Sequence, residues 1–93
     1  MSPIEEKAQQ DKLQAEELVA AVPLMDEVQR IDVELYTDNT GDPAFQLLFY
    51  VKPDVEIDRQ FIRRFNEYAG TVQTRILHSD INRFPHARLK RAA

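Results

Sequence analysis

The 93-residue sequence predicts a two-layer α+β fold in the order α-β-β-α, an antiparallel hairpin packed by helices. Three observations carry this expectation. The hydrophobic period changes from helical to two at Arg30, a dense turn cluster from Thr37 to Pro43 separates two apolar segments, and helical spacing returns from Phe61 to Ile76. The expected organisation is one domain over residues 1–93: an N-terminal helix and connector (1–29), a hairpin (30–52), a helical region (58–82) and a basic tail (83–93).

Ser2-Pro3-Ile4-Glu5 reads as a helix start, because Ser2 can cap, Pro3 suits the first helical position and Glu5 is placed to complete a capping box. Ala8, Ala15, Leu18, Val19 and Val22 then gather on one side, while the first turns around Gln9, Gln10 and Asp11 are polar and are expected to project beyond the core. Pro23 breaks the helix by removing a donor and crowding the preceding turn, leaving Leu24 to Gln29 as a connector or short helical turn.

Ile31, Val33 and Leu35 alternate with Asp32, Glu34 and Tyr36, the pattern of a half-buried strand. The turn Asp38-Asn39-Thr40-Gly41-Asp42-Pro43 follows. In the second strand Phe45, Leu47, Phe49 and Val51 share one face, but Leu48 and Tyr50 make the other face apolar as well, so this strand is the more buried one. Asp58 is a helix cap for the main packing helix, whose apolar residues are Phe61, Ile62, Phe65, Tyr68, Ala69, Val72 and Ile76. After Gly70 the β-branched stretch 71–78 is open to two readings, continued helix or a third strand; the unbroken phase of the apolar spacing favours helix. Arg83-Phe84-Pro85-His86 cannot continue a helix through Pro85, so the last residues are read as an extended or irregular tail.

The sequence has no cysteine, which excludes disulfides and thiolate metal sites and makes a cytoplasmic location the expectation. Its longest apolar run, Leu18 to Met25, contains Pro23 and is far shorter than the roughly 20 residues that cross a bilayer. Glu5 and Glu6, opposed only by Lys7, are the reverse of a basic targeting segment. The formal net charge of −4 conceals a division: residues 1–58 hold four Lys and Arg against fourteen acids, and the remainder eight against two. Such halves attract one another within the fold or across a dimer, or else the basic part meets a polyanion; overall acidity favours the former.

Asp32 and Glu34 share a strand face roughly 7 Å apart, with Asp38 and Asp42 in the adjoining turn, an arrangement compatible with a hard divalent cation in a hydrolase. Solvent-facing strand acids and turn-capping aspartates account for the same residues without a metal. The spacing of His78 and His86, with Asp80 between them, matches no compact zinc pattern, and Ser79 beside His78 does not by adjacency make a relay. The turn lacks the alternating acids and final glutamate of a calcium loop. No catalytic residue, cofactor or metal ligand is therefore assigned. The candidate interaction surface comprises Leu48, Tyr50, Arg83, Phe84, His86, Arg88, Lys90 and Arg91, in which cations contact phosphates while Phe84 stacks on a base, or Phe84 and Leu89 dock on the domain or a partner.

Ile31-Asp32-Val33-Glu34-Leu35, Asp38-Asn39-Thr40-Gly41-Asp42-Pro43-Ala44, the apolar second strand and Arg83-Phe84-Pro85-His86 together resemble a group of small uncharacterised bacterial proteins. Their shared pattern is strand, Asp-x-Thr-Gly-Asp-Pro-Ala turn, strand, helix and a late Phe-Pro-aromatic element. The resemblance spans about residues 30 to 89, with His86 where an aromatic is commoner. It implies no established activity and carries over no catalytic residue, but it tilts the expectation toward a binding partner encoded beside toxin or defence genes. The expectation is thus a non-enzymatic protein-binding or regulatory module, homodimeric because a two-stranded hairpin cannot cover itself. The alternatives are a nucleic-acid-binding regulator using the basic C-terminal third and a metal-dependent hydrolase using the strand carboxylates.

Overall fold

The computed structural model describes residues 2–93 and has five elements: α1 (Pro3–Ala20), β1 (Val28–Thr37), β2 (Pro43–Val51), α2 (Arg59–Leu77) and β3 (Phe84–Arg91). The class is α+β, as the alternating and helical periods predict, but the order is α-β-β-α-β. The region read as an extended or irregular tail forms the third strand. Pro85 permits this because β3 lies at the sheet edge, where a residue with no N–H can face away from its neighbour.

Ser2 caps α1 by accepting the Glu5 N–H at 3.2 Å, and Asp58 caps α2 by accepting the Phe61 N–H at 2.8 Å. The first two turns of α1 are largely exposed, with Ile4 in solvent, and Asp11 is the first buried residue. In α2 the buried stripe Phe61, Phe65, Ala69, Val72 and Ile76 runs unbroken past Gly70, so residues 71–77 are helical. Arg75 Nε donates to the Leu18 carbonyl at 3.0 Å, which satisfies an acceptor near the end of α1 and ties the two helices together.

The sheet order is β1-β2-β3, with β1 antiparallel and β3 parallel to the central β2. Antiparallel β1 and β2 need only the short turn, whereas the parallel pair requires the long crossover that α2 supplies. Gly41 takes φ +85°, the left-handed conformation that a glycine adopts without Cβ strain, and its N–H donates to the Asp38 carbonyl at 3.0 Å. The Asp38 carboxylate organises the rest of the turn by accepting from the backbone N–H groups of Thr40 and Asp42, both at 3.0 Å, and from the Thr40 hydroxyl at 2.6 Å.

Both helices lie on one side of the sheet. Ala15 and Val19 of α1 and the α2 stripe share a core with Val33 of β1 and with Phe45, Leu47, Phe49 and Val51 of β2, and Ala87 and Leu89 of β3 pack against it. Phe49 meets Phe65 edge to face at a centroid distance of 5.2 Å. Period-two alternation therefore sends every other side chain to a face that no helix covers. Among the described residues, no helix is long and apolar enough to cross a membrane.

Candidate functional site

The uncovered face is an ordered array. Strand pairing aligns Tyr36, Ala44 and Phe84 in one row, then Glu34, Gln46 and His86, then Asp32, Leu48 and Arg88, then Arg30, Tyr50 and Lys90. Down the strands, the β1 column has two adjacent acids, the β2 column is neutral, and the β3 column is Phe84, His86, Arg88 and Lys90. The outer columns are roughly 9.6 Å apart, twice the spacing of neighbouring strands.

The chain holds several of these groups in place. Arg30 lies over the Tyr50 ring, 3.9 Å from its centroid, and its Nε is 3.4 Å from an Asp32 oxygen. His86 meets Tyr36 edge-on at 5.7 Å and Phe84 at 4.8 Å, so three aromatic rings from two outer strands cluster at one end of the array. The imidazole Nε2 is buried without a hydrogen-bond partner. Phe84 remains 51% exposed and Tyr36 36%, which leaves the end of the cluster as apolar surface facing solvent.

Of the sequence-selected surface residues, Tyr50, Phe84, His86, Arg88 and Lys90 lie together on this face. Leu48 belongs to it by register but is 3% exposed, already buried within the protomer. Arg83 and Arg91 do not belong to the face. Arg83 Nε is 3.4 Å from Asp11 and its Nη1 donates to the Ala44 carbonyl at 3.2 Å; Arg91 Nη1 donates to the carbonyls of Pro53 and Val55 at 3.1 and 2.8 Å. Their position in a basic run suggested a shared surface, but strand alternation and these backbone acceptors put them to structural use. Leu89, considered as a docking residue, packs against the core.

The acids weighed for metal chemistry are dispersed among other tasks. Asp32 pairs with Arg30; Asp38 and Asp42 hold the turn, with an Asp42 oxygen 3.1 Å from the Thr40 hydroxyl oxygen, whose one proton goes to Asp38. The Thr40 hydroxyl and the Asp42 backbone N–H keep the Asp38 carboxyl below the usual carboxylate range. Ser79 closes α2 rather than meeting a histidine: its hydroxyl donates to the Ile76 carbonyl at 2.6 Å and accepts the Ile81 N–H at 3.2 Å. Asp80 accepts from the Gln14 amide at 3.1 Å. Among the described residues, no group of three or more His, Asp and Glu is placed to hold a metal ion.

Sequence reasoning found the basic half of the face but not its acidic half. The missing signal was the alternation in residues 84–91, where Phe84, His86, Arg88 and Lys90 stand against Pro85, Ala87 and Leu89. Read as a strand, that segment joins β1 and β2 and brings Arg30, Asp32, Glu34 and Tyr36 onto the same surface. Comparison of the chain with protein-family models, curated proteins and solved structures finds no match, so the reading of this face rests on its own geometry.

Proposed function

We propose that the protein is a non-enzymatic binding module that engages another polypeptide through its uncovered sheet face. One observation carries this reading: the face bears both its acids in the β1 column, beside Arg30, and the bases Arg88 and Lys90 in the β3 column, with an aromatic cluster at one end. A polyanion crossing the strands gains from Arg88 and Lys90 but meets Asp32 and Glu34 on the far side, where repulsion opposes counterion release. A protein surface can match both columns. An accessory role beside a toxin or defence protein is the form of this reading favoured by the motif resemblance.

Site-directed photocrosslinking tests it. A photoreactive residue replacing Phe84 on the face is compared with one replacing Leu77, which is 50% exposed on α2. In extracts of the native host, the Phe84 position is expected to yield discrete protein adducts that survive nuclease, and the Leu77 position none of the same species. Nucleic-acid adducts at Phe84, or identical adducts from both positions, would overturn the proposal.

A further inference from the structure

Resting on that reading, we infer that the face fits a second copy of this chain, stacked face to face about a two-fold axis parallel to the strands. Two identical sheets can oppose the same face through an in-plane two-fold axis that runs along the strands or across them. An axis across the strands sets β1 on β1 and β3 on β3 with the rows reversed, placing Asp32 over the partner's Glu34 and Arg88 over the partner's His86. An axis along β2 preserves each row and exchanges the outer columns. Asp32 then lies over the partner's Arg88, Glu34 over the partner's His86, and Tyr36 over the partner's Phe84.

The two acids thus meet the basic column when the axis runs along β2 and one another when it runs across the strands. Only the last row, Arg30 over the partner's Lys90, opposes like charges in the favoured arrangement. Packed sheets cross at about 30°, so columns diverge laterally toward both ends of the face: the Arg30–Lys90 mismatch is relieved, Tyr36 and Phe84 are offset from direct overlap, and the middle rows stay in register. Tyr36 and Phe84, exposed in the protomer, become covered.

Size sets the strength. Three strands roughly 4.8 Å apart and four rows roughly 6.8 Å apart give a face of about 400 Å² per copy. Doubled, about 800 Å² falls below the roughly 1,200 Å² of stable complexes and within the range of weak, transient contacts, so the dimer is expected to dissociate with a Kd of roughly 1–100 µM. Because its matching is partly ionic and open at the rim, association should weaken with salt.

The test is sedimentation equilibrium of the full chain and three charge variants, with far-UV circular dichroism to verify folding. Asp32→Arg alone and Arg88→Asp alone each oppose like charges and are expected to raise Kd at least tenfold. The combined swap restores opposite charges and should return Kd to within about threefold of the parent. Raising salt from 50 to 500 mM should weaken the parent about fivefold or more. As a measurement independent of substitution, amide chemical shifts of the parent on dilution should change in the four rows of the face and not on exposed α2. A monomer throughout the micromolar range, single swaps without effect, or a combined swap no tighter than the single ones would overturn the inference. A monomer that still gives protein adducts from Phe84 removes only the second copy as partner; nucleic-acid adducts remove the broader reading as well.

Discussion

Removing the Arg83 guanidinium should leave a buried carboxylate poorly compensated. Asp11 and Arg83 side chains are only 8% and 14% exposed, and Arg83 links the α1 carboxylate to the Ala44 backbone in β2. Breaking a buried ion pair costs about 3–5 kcal/mol. Lys7 remains 3.1 Å from the other Asp11 oxygen, but its side chain is 70% exposed, so its offset is held to about 1 kcal/mol. Arg83→Met is therefore expected to cost about 3 kcal/mol, lowering the urea midpoint by about 2 M at a slope near 1.5 kcal/mol per M. The corresponding fall in Tm is roughly 12–24 °C at fixed protein concentration. Asp11→Leu combined with Arg83→Met removes both charges and should recover to within about 1 kcal/mol of the parent. Urea unfolding followed by circular dichroism measures all three. A single-variant loss below about 1 kcal/mol, or a double variant no more stable than Arg83→Met, would refute the argument.

Gly41→Ala should cost about 1–2 kcal/mol, since the added Cβ meets no atom within 4 Å and the penalty is that of the left-handed backbone. Gly70→Ala, also free of close atoms but inside α2, should instead stabilise by up to about 1 kcal/mol; urea midpoints that fail to move in opposite directions would contradict this. The Tyr68 hydroxyl is buried near the Met25 backbone without a partner in hydrogen-bonding geometry, and burial raises its ionisation above the ordinary value near 10.0. Its contribution is fully present below pH 10.0, the unfolded value, and is lost as pH rises through the higher folded value. Tyr68→Phe should leave neutral-pH stability unchanged or improved by about 1 kcal/mol and flatten the alkaline fall in Tm; an undiminished fall would assign it to another group.

The hairpin and α2 were legible because each has one period and one dominant face. The turn cluster isolates β1 from β2, and the stripe from Phe61 to Ile76 keeps helical phase across Gly70. β3 was obscured by competing signals: Pro85 argues against regular structure, while four cations suggest a solvated tail. Edge placement resolves the first and alternation the second. Asp11 was equally hard to read, since a polar residue amid polar turns gives no sign that an arginine 72 positions later will cover it. The face itself required register, which joins Glu34 to His86 through Gln46 although they are remote in sequence.

The Ala92 N–H donates to Val51 in β2, so strand parity directs the backbone groups of Pro85, Ala87 and Leu89 outward. Pro85 offers no donor there, and its carbonyl accepts from the Gln73 amide at 2.8 Å. A foreign strand approaching that end finds neither half of a hydrogen-bonding pair, and only a short exposed edge remains beyond it. Strand addition at an edge can repeat indefinitely and propagate a fibre, whereas a face shared about a two-fold axis is consumed after one partner has bound. The proline and glutamine thus oppose polymerisation through this edge, which would leave the proposed face-to-face pair a closed one.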